Sequence, residues 1–262
     1  DQLLFVGGVD DDAKASKTIT RVGALADVAA GGKGTSESFE MMRARAGPAV
    51  LAFADGAVVI WGGPASTASA DMGELLIKGA AKTTALAITG PKSLVDDANL
   101  ATYGAAAAVL RQSGDDLWFV VAGGQPFNQQ LRADGAPAYV VQVNKAGTAA
   151  IKTLTLSSGV TLRAGIATAA ARLPSGHVLF AGGLLAPLTG VKACADQPEC
   201  LINDVALLEA PADLSGEAVE LIASMPAGQL NVPGFGLSAA ALPAGALLVG
   251  GQTTVVDAKA KD

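Results

Sequence analysis

One phrase recurs five times along the chain: a short apolar run that ends in two adjacent glycines. The five copies end at Gly7-Gly8, Gly62-Gly63, Gly123-Gly124, Gly182-Gly183 and Gly250-Gly251. Their first glycines lie 55, 61, 59 and 68 residues apart. These steps are too long for a solenoid repeat and fit a four-stranded β unit with generous loops. The recurrence therefore predicts a repeat protein built from β-strands.

Each apolar run reads as the second strand of a hairpin. A stretch of small apolar residues and a glycine-containing turn precede it, as at Asp55-Gly56 and Ser175-Gly176. The Ala-rich stretch 105–108 has high helix propensity, but the matching position of another repeat holds Val50 and Leu51, which favours an innermost strand. Two further strand-like runs follow most pairs. The chain is therefore predicted to be all-β, a β-propeller of four-stranded antiparallel blades.

These repeats resemble the kelch family. The shared features are the glycine pairs, an Arg at the start of the preceding strand, an Asn-Asp-Val opening and a Met-Pro turn. They occur at Gly62-Gly63 with Arg45, Gly182-Gly183 with Arg163, Asn203-Asp204-Val205, Met225-Pro226 and the similar Met41 to Arg45. The family's fourth-strand Trp is missing, since Trp61 and Trp118 lie in second strands. The resemblance covers nearly the whole chain and implies one kelch-like propeller domain over 1–262. Its five visible repeats form a five-bladed ring or part of a six- or seven-bladed one, incomplete at one or both ends.

Composition excludes several partners. The formal net charge is −6, and no cluster of Lys and Arg stands out. Nucleic acid and anionic membrane surfaces are therefore poor partners. Apolar runs are shorter than the roughly 18 to 20 residues that span a bilayer, so membrane insertion is not expected.

The connections between second and third strands are predicted to share one rim. They cover 10–16, 64–71, 125–135 and 184–200 and are the longest loops in the chain. Because rigid scaffolds carry function on such loops, this rim is the predicted binding face; tolerated insertion is the alternative. The candidate binding residues are Asp10, Asp11, Asp12, Gln125, Phe127, Asn128, Arg132, Asp196 and Glu199.

The two cysteines, Cys194 and Cys200, lie close together in the longest of these loops. Their spacing lets the thiols meet, so a disulfide is predicted, with a pair of free thiols as the alternative. A disulfide implies an oxidising compartment and a secreted, periplasmic or cell-surface protein. The run Asp10-Asp11-Asp12 could supply ligands to calcium, but it lacks the full calcium-loop pattern and fits an acidic turn better. No other cofactor and no metal site is predicted.

The sequence contains few features of known catalytic motifs. The one histidine, His177, lies at a strand start, and no nucleophile-elbow motif is present. The stretch 31–35 lacks the phosphate-loop spacing. The copper oxidases similar to kelch propellers need two His ligands and a cross-linked Cys and Tyr, which one His does not supply. We therefore predict no enzyme, no cofactor and no catalytic residue.

The predicted function is a non-catalytic extracellular or cell-surface scaffold for binding or adhesion, with a protein or surface-glycan partner. Two alternatives stay open. One is a carbohydrate-active enzyme, epimerase-like or lyase-like, with its site at the propeller pore. The other is a structural subunit of a larger surface assembly.

Overall fold

A computed structural model describes most of the chain. The described residues are 3–7, 14–23, 34–63, 72–95, 102–126, 138–157, 162, 164–185, 201–231 and 234–252. Over these ranges the chain is all-β apart from one helical turn, α1 (Lys92–Val95). This confirms the predicted class. Within the same ranges, no helix has the length and apolar character needed to cross a bilayer.

The first two glycine pairs belong to two antiparallel sheets. The first unit has three strands: β1 (Leu3–Val6), β2 (Ser16–Gly23) and β3 (Thr35–Arg45). The second unit has four strands: β4 (Ala49–Ala52), β5 (Val58–Trp61), β6 (Gly73–Leu76) and β7 (Thr84–Ala85). A short strand, β8 (Ala87–Thr89), follows the second unit. In both units a glycine pair follows the strand that reads as a continuous apolar run, β1 or β5.

The third and fourth glycine pairs lie in larger units. The third unit comprises β9 (Thr102–Tyr103), β10 (Ala106–Ser113), β11 (Asp116–Ala122), β12 (Gln125–Pro126), β13 (Tyr139–Asn144) and β14 (Thr148–Leu156). The fourth unit comprises β15 (Ala169–Arg172), β16 (Val178–Ala181), β17 (Asp204–Glu209) and β18 (Ala218–Gln229). The fifth unit is one hairpin, β19 (Phe235–Leu242) and β20 (Gly245–Gln252). The Ala-rich stretches thus form strands β10, β15 and β19.

The third and fourth units join into one nine-stranded sheet. Strand β14 pairs in parallel with β18, with Leu154 beside Val219, and β8 pairs with the earlier part of β14. Strands β10 and β15, at the two ends of the main strand path, lie alongside each other. The sheet is therefore nearly closed and barrel-like. The predicted kelch-like propeller of separate blades is wrong, because the long edge strands β14 and β18 satisfy each other's backbone groups instead of ending two independent sheets.

Successive units pack face to face. Alternate residues of each second strand point to opposite neighbours. In β11, Phe119 and Val121 face the second unit, whereas Val120 and Ala122 face the fourth. The Trp61 ring meets the Phe119 ring edge-on, with centroids 5.7 Å apart. Both faces of the central strands are buried, which explains why they read as continuous apolar runs.

The glycine pairs are the places where one unit meets the next. A backbone carbonyl lies against the first glycine of each of the first four pairs; it comes from the end of β3 for the first pair and from the start of the following unit for the other three. These contacts join Arg45 O to Gly7, Thr102 O to Gly62, Gly165 O to Gly123 and Gly234 O to Gly182. A Cβ atom on Gly7, Gly62 or Gly182 would lie 2.5 to 2.8 Å from the oxygen. Side chains are therefore excluded at these positions, where only glycine permits so close an approach of two backbones.

The second glycine donates to the same oxygen. The amide nitrogens of Gly63 and Gly183 lie 2.7 Å from Thr102 O and 2.8 Å from Gly234 O. The corresponding distance for Gly124 is 2.9 Å. Both glycines of the second, third and fourth pairs have positive φ, so each of these pairs turns the chain out of its strand and aims this amide at the next unit. We call this arrangement the carbonyl–glycine contact.

A second series of backbone hydrogen bonds also links the units. Its residues lie two positions after those whose carbonyls contact the glycine pairs. Gly104 N donates to Gly47 O, Ala167 N to Gly104 O, and Gly236 N to Ala167 O, each at 2.9 Å. All four residues have φ between 55° and 69°. Ala167 is the one non-glycine residue with positive φ among the described residues. This backbone arc, formed by Gly47, Gly104, Ala167 and Gly236, joins the starts of the innermost strands of four units.

We expect alanine at Gly182 to be more destabilising than alanine at Gly114. Both glycines have positive φ, at 66° and 57°, but a Cβ on Gly114 would meet nothing within 4 Å. Gly114→Ala should therefore cost only the left-handed backbone term of about 1–2 kcal/mol. Gly182→Ala should add about 1–3 kcal/mol for overpacking against Gly234 O. Urea denaturation of the two variants measures the difference, and equal losses would contradict the carbonyl–glycine contact.

Candidate functional site

The predicted rim lies mostly outside the described residues. Of the nine candidate binding residues the structure describes only Gln125, which is fully buried. It lies in β12, opposite Tyr103 of β9, so local strand pairing holds it below the surface. The others stay predictions outside the described residues, as does the disulfide: Asp10, Asp11, Asp12, Phe127, Asn128, Arg132, Asp196, Glu199, Cys194 and Cys200.

A buried ion pair lies beside the second glycine pair. Arg45 Nη2 lies 2.8 Å from Glu74 Oε1, and the two side chains are 0% and 1% exposed. The same guanidinium donates to Gly62 O at 2.6 Å. The Glu74 carboxylate also accepts the amides of Met42 and Arg43, at 2.9 and 3.0 Å. Because these groups bind one another, the pair holds the end of β3 on the second unit and is structural.

The opposite end of the third unit carries a group of polar side chains around Trp118. Arg111 on β10 and Gln142 on β13 lie directly opposite Trp118. Two residues earlier on β11, Asp116 Oδ1 accepts the side-chain amides of Gln142 and Asn144, at 3.2 and 3.1 Å. We call these five residues the Trp118 row; all are partly exposed.

A segment from the fourth unit, residues 211–217, crosses this face of the sheet; we call it the strap. Arg111 donates to Pro211 O and Ala212 O at 2.7 and 2.6 Å. Lys152 Nζ donates to Ser215 O and Gly216 O, both at 2.9 Å. Partial burial lowers the pKa of Lys152. Two cations thus hold the strap at both ends.

The middle of the strap closes the apolar core between the third and fourth units. Leu214 is buried there with Val120 and Val140. Trp118 packs against the same core. The Trp118 row is therefore the polar edge of this core.

The two indole groups of the chain differ in their hydrogen bonding. Trp61 Nε1 donates to the Tyr139 hydroxyl at 2.9 Å. Trp118 Nε1 is a buried atom that has no acceptor within the part of the chain described by the structure. A buried donor left without a partner costs about 1–3 kcal/mol. The Trp118 row therefore contains a donor that can gain from an added acceptor.

The turns of the second and third units meet at Lys145. Its ammonium lies 2.6 Å from Asp55 Oδ2 and 3.3 Å from Asp115 Oδ1. It also lies 5.0 Å from the centre of the Phe53 ring. The hydrogen bond from Lys145, aided by the Ala57 amide, lowers the pKa of Asp55, and the same Asp55 contact raises the pKa of Lys145. These groups are solvent-exposed, so the contact is screened and adds little to stability.

Sequence reasoning missed the Trp118 row. Its members come from three strands and become neighbours only through the register of β10, β11 and β13. The available signal was the polar residue at alternate positions of otherwise apolar strands, such as Gln142 within 139–143. His177 immediately precedes β16, close to the strand start expected for it, and its Nδ1 atom lies 3.0 Å from Ser175 Oγ.

No family model and no curated protein sequence matches the chain. Among solved structures, the chain is similar to a fungal alcohol oxidase of the AA5 family in complex with copper. The two share 11% identity with a TM-score of 0.47, over 90% of this chain and 55% of that one. The chain thus spans about half the length of this neighbour. So distant a likeness does not transfer the neighbour's activity.

Several predictions made from the sequence are corrected here. The kelch resemblance is wrong, since no family model matches and the nine-stranded sheet joins two of the units. The predictions of no enzyme and no cofactor stand against a neighbour that is an oxidase in complex with copper, and neither is proposed again.

The residues present do not fit a copper centre. The chain has one histidine. Its Nε2 atom faces Glu209 at 3.7 Å, on an exposed turn. Across the described ranges, no three residues of the types His, Cys, Asp and Glu gather where they could hold a metal ion. No chemical step is therefore assigned to copper.

Replacing Glu74 with alanine should cost about 3–5 kcal/mol, because the Arg45 guanidinium would stay buried without its carboxylate. The control is Glu37→Ala, which removes an exposed partner of Arg21 at 3.4 Å, with Glu37 64% exposed. That change should alter stability by less than about 1 kcal/mol. Chemical denaturation measures both, and similar losses would show that the buried pair has no special role.

We expect Lys145→Met to raise the pKa of Asp55, because the ammonium that stabilises its carboxylate is removed. In the wild type this contribution to stability is present at neutral pH and disappears as the pH falls through the lowered pKa of Asp55. An NMR pH titration of the carboxyl carbons measures the shift. Asp213 is the internal control, since its pKa is lowered mainly by the Ser215 amide and should not respond. An unchanged Asp55 would disprove the assignment.

Proposed function

We propose that the chain is a carbohydrate-active protein that holds a neutral saccharide at the Trp118 row. The observation that carries the proposal is one partly exposed tryptophan flanked by a guanidinium, a carboxylate and two carboxamides on one sheet face. An indole ring offers an apolar surface to the C–H face of a sugar. Carboxylate and amide groups pair with vicinal hydroxyls, since hydroxyls both donate and accept.

Charge favours a neutral saccharide over an acidic one. Arg111 and Lys152 both donate to strap carbonyls, so they are committed to the strap and not to a ligand carboxylate. The groups left toward solvent include Asp116 and the neighbouring Asp115. A uronic acid or a sulfated sugar would meet these negative charges.

Asp116 is the proton acceptor of the proposed site. Its Oδ1 atom is held by the amides of Gln142 and Asn144, so the carboxylate has a fixed orientation. A carboxylate within hydrogen-bond reach of a sugar hydroxyl is the arrangement that general-base chemistry needs. The predicted bond between Cys194 and Cys200 supports a secreted or cell-surface location, where a surface glycan is the natural ligand.

The experiment is an array of neutral and acidic oligosaccharides, followed by calorimetry on the hits. Trp118→Ala should weaken binding of neutral hits at least about tenfold, or ~1.4 kcal/mol. Trp118→Phe keeps a smaller aromatic face, so its affinity should fall between those of the wild type and Trp118→Ala. The control is Phe5→Ala, which removes an exposed aromatic ring on the first unit, 60% exposed.

Incubated oligosaccharides are also analysed by mass spectrometry and chromatography. Asp116→Asn removes the carboxylate that would accept a proton from a sugar hydroxyl. It should therefore abolish any chemical change in the bound oligosaccharide while leaving binding measurable. Circular dichroism verifies that each variant is folded. If no neutral oligosaccharide binds, or if Trp118→Ala binds as the wild type does, the proposed site is wrong.

A further inference from the structure

The first and second units are also joined edge to edge, where β3 runs in parallel with the segment just before β7. The Glu40 amide donates to Ala81 O at 3.5 Å, and the Glu40 carbonyl accepts from the Thr83 amide at 3.1 Å. In a regular parallel ladder the next bonds would join Met42 N to Thr83 O and Ala85 N to Met42 O. The ladder would therefore continue through Met42 and Ala85.

A sulfur atom takes part in this next rung. The Met42 amide donates to Glu74 Oε2 at 2.9 Å and to Thr83 Oγ1 at 3.0 Å. The Ala85 amide donates to Met42 Sδ at 3.1 Å. A thioether thus stands where a regular ladder has a backbone carbonyl. Because the amide and the sulfur of Met42 are both held by hydrogen bonds, the side chain has a defined position between β3 and β7.

The sulfur-bearing side chains nearby differ sharply in exposure. Met42 is 48% exposed, whereas Met41 and Met72 are 1% and 0% exposed. Oxidation converts an apolar methionine into a polar, chiral sulfoxide, and a dissolved oxidant has to reach the sulfur atom to do so. Of these three methionines, Met42 is therefore the one that such an oxidant can reach in the folded chain.

The hydrogen bond from Ala85 covers one side of the Met42 sulfur. A thioether sulfur has two lone pairs, one on each side of the C–S–C plane, and it is a weak acceptor through either of them. Addition of oxygen on the two sides gives the two opposite sulfoxide epimers. The Ala85 amide, 3.1 Å away, occupies one side. An oxidant must therefore approach from the other side.

We propose that Met42 is a modification site that takes up oxygen from a peroxide on one side of its sulfur. The S–O bond forms as the peroxide O–O bond breaks, and the sulfur gives up two electrons. The second peroxide oxygen leaves as hydroxide and takes the proton of the transferred oxygen, so water is the other product. The product on the chain is a single epimer of methionine sulfoxide, which a stereospecific sulfoxide reductase can reverse.

Oxidation also opens the rung between the two units. The sulfur of a sulfoxide carries a partial positive charge and no longer attracts an N–H donor. The Ala85 amide therefore loses its acceptor, while the two bonds from the Met42 amide to Glu74 and Thr83 remain. The modification thus loosens the edge contact of β3 with β7 and leaves the buried ion pair of Arg45 and Glu74 in place.

The first test is the site of oxidation. The folded chain is treated with dilute hydrogen peroxide, digested and analysed by tandem mass spectrometry. Met42 should be oxidised at least about tenfold faster than Met41 and Met72, because burial shields their sulfur atoms. In the chain unfolded by urea, the three methionines should be oxidised at similar rates.

The second test is the stereochemistry. Peptides that carry oxidised Met42 are given to each of the two reductases that act on opposite sulfoxide epimers. Product from the folded chain should be reduced by one enzyme, and product from the unfolded chain by both. Ala85→Pro removes the N–H donor without changing Met42, and this variant should yield both epimers. Continued protection of Met72 from oxidation verifies that the variant is folded.

The third test is the opened rung. Met42→Leu keeps an apolar side chain of similar size without the sulfur acceptor. Hydrogen exchange followed by NMR should show faster exchange of the Ala85 amide in this variant, and equally in the oxidised wild type. The proposal is overturned if Met42 is oxidised no faster than Met72, or if the folded wild type gives both epimers. A single epimer from Ala85→Pro, or unchanged exchange at Ala85 after oxidation, would also reject it.

Discussion

The carbonyl–glycine contact is the interaction on which the arrangement of units depends. It is made entirely from backbone, since the first glycine must lack a side chain and the second must present its amide. Three conditions therefore coincide at the second, third and fourth pairs: positive φ, close approach and a donor in the right direction. Any other residue would fail at least one of them, which explains why two glycines recur while the apolar residues before them vary.

The glycine-pair end and the turn end of the strands carry different kinds of contact. Near the glycine pairs, the described contacts include the backbone contacts, the buried Thr168 hydroxyl bonded to Gly165 and Gly182, and the enclosed ion pair between Arg45 and Glu74, so this end sets the geometry. At the turn end, side chains from neighbouring strands meet solvent, and there the Trp118 row and the strap bring a carboxylate, amides, cations and an indole together. Chemistry is therefore concentrated away from the end where unit is fixed to unit.

Much of the local structure could be predicted from the sequence. Short apolar runs after glycine-containing turns locate strands such as β5, β11 and β16, and the Ala-rich stretches, for which helix was rejected, are indeed strands. The parallel pairing of β14 with β18 could not be predicted, because an edge-to-edge hydrogen bond leaves no pattern in side chains. The partner of Arg45 and the neighbours of Trp118 depend on register between strands, which a single sequence does not encode residue by residue. Gln125, chosen as a loop residue, is buried because two short strands pair around it.

The backbone arc also bears on how the chain reaches its fold. Its three hydrogen bonds connect residues that are 57, 63 and 69 positions apart. Contacts of such separation require large loops to close before they add any stability, which slows folding. During synthesis the apolar face of each unit stays exposed to solvent until the next unit has been made. Aggregation competes with folding while such a face is exposed. A chain of this design therefore depends on the order and speed with which its units emerge, as well as on their sequence.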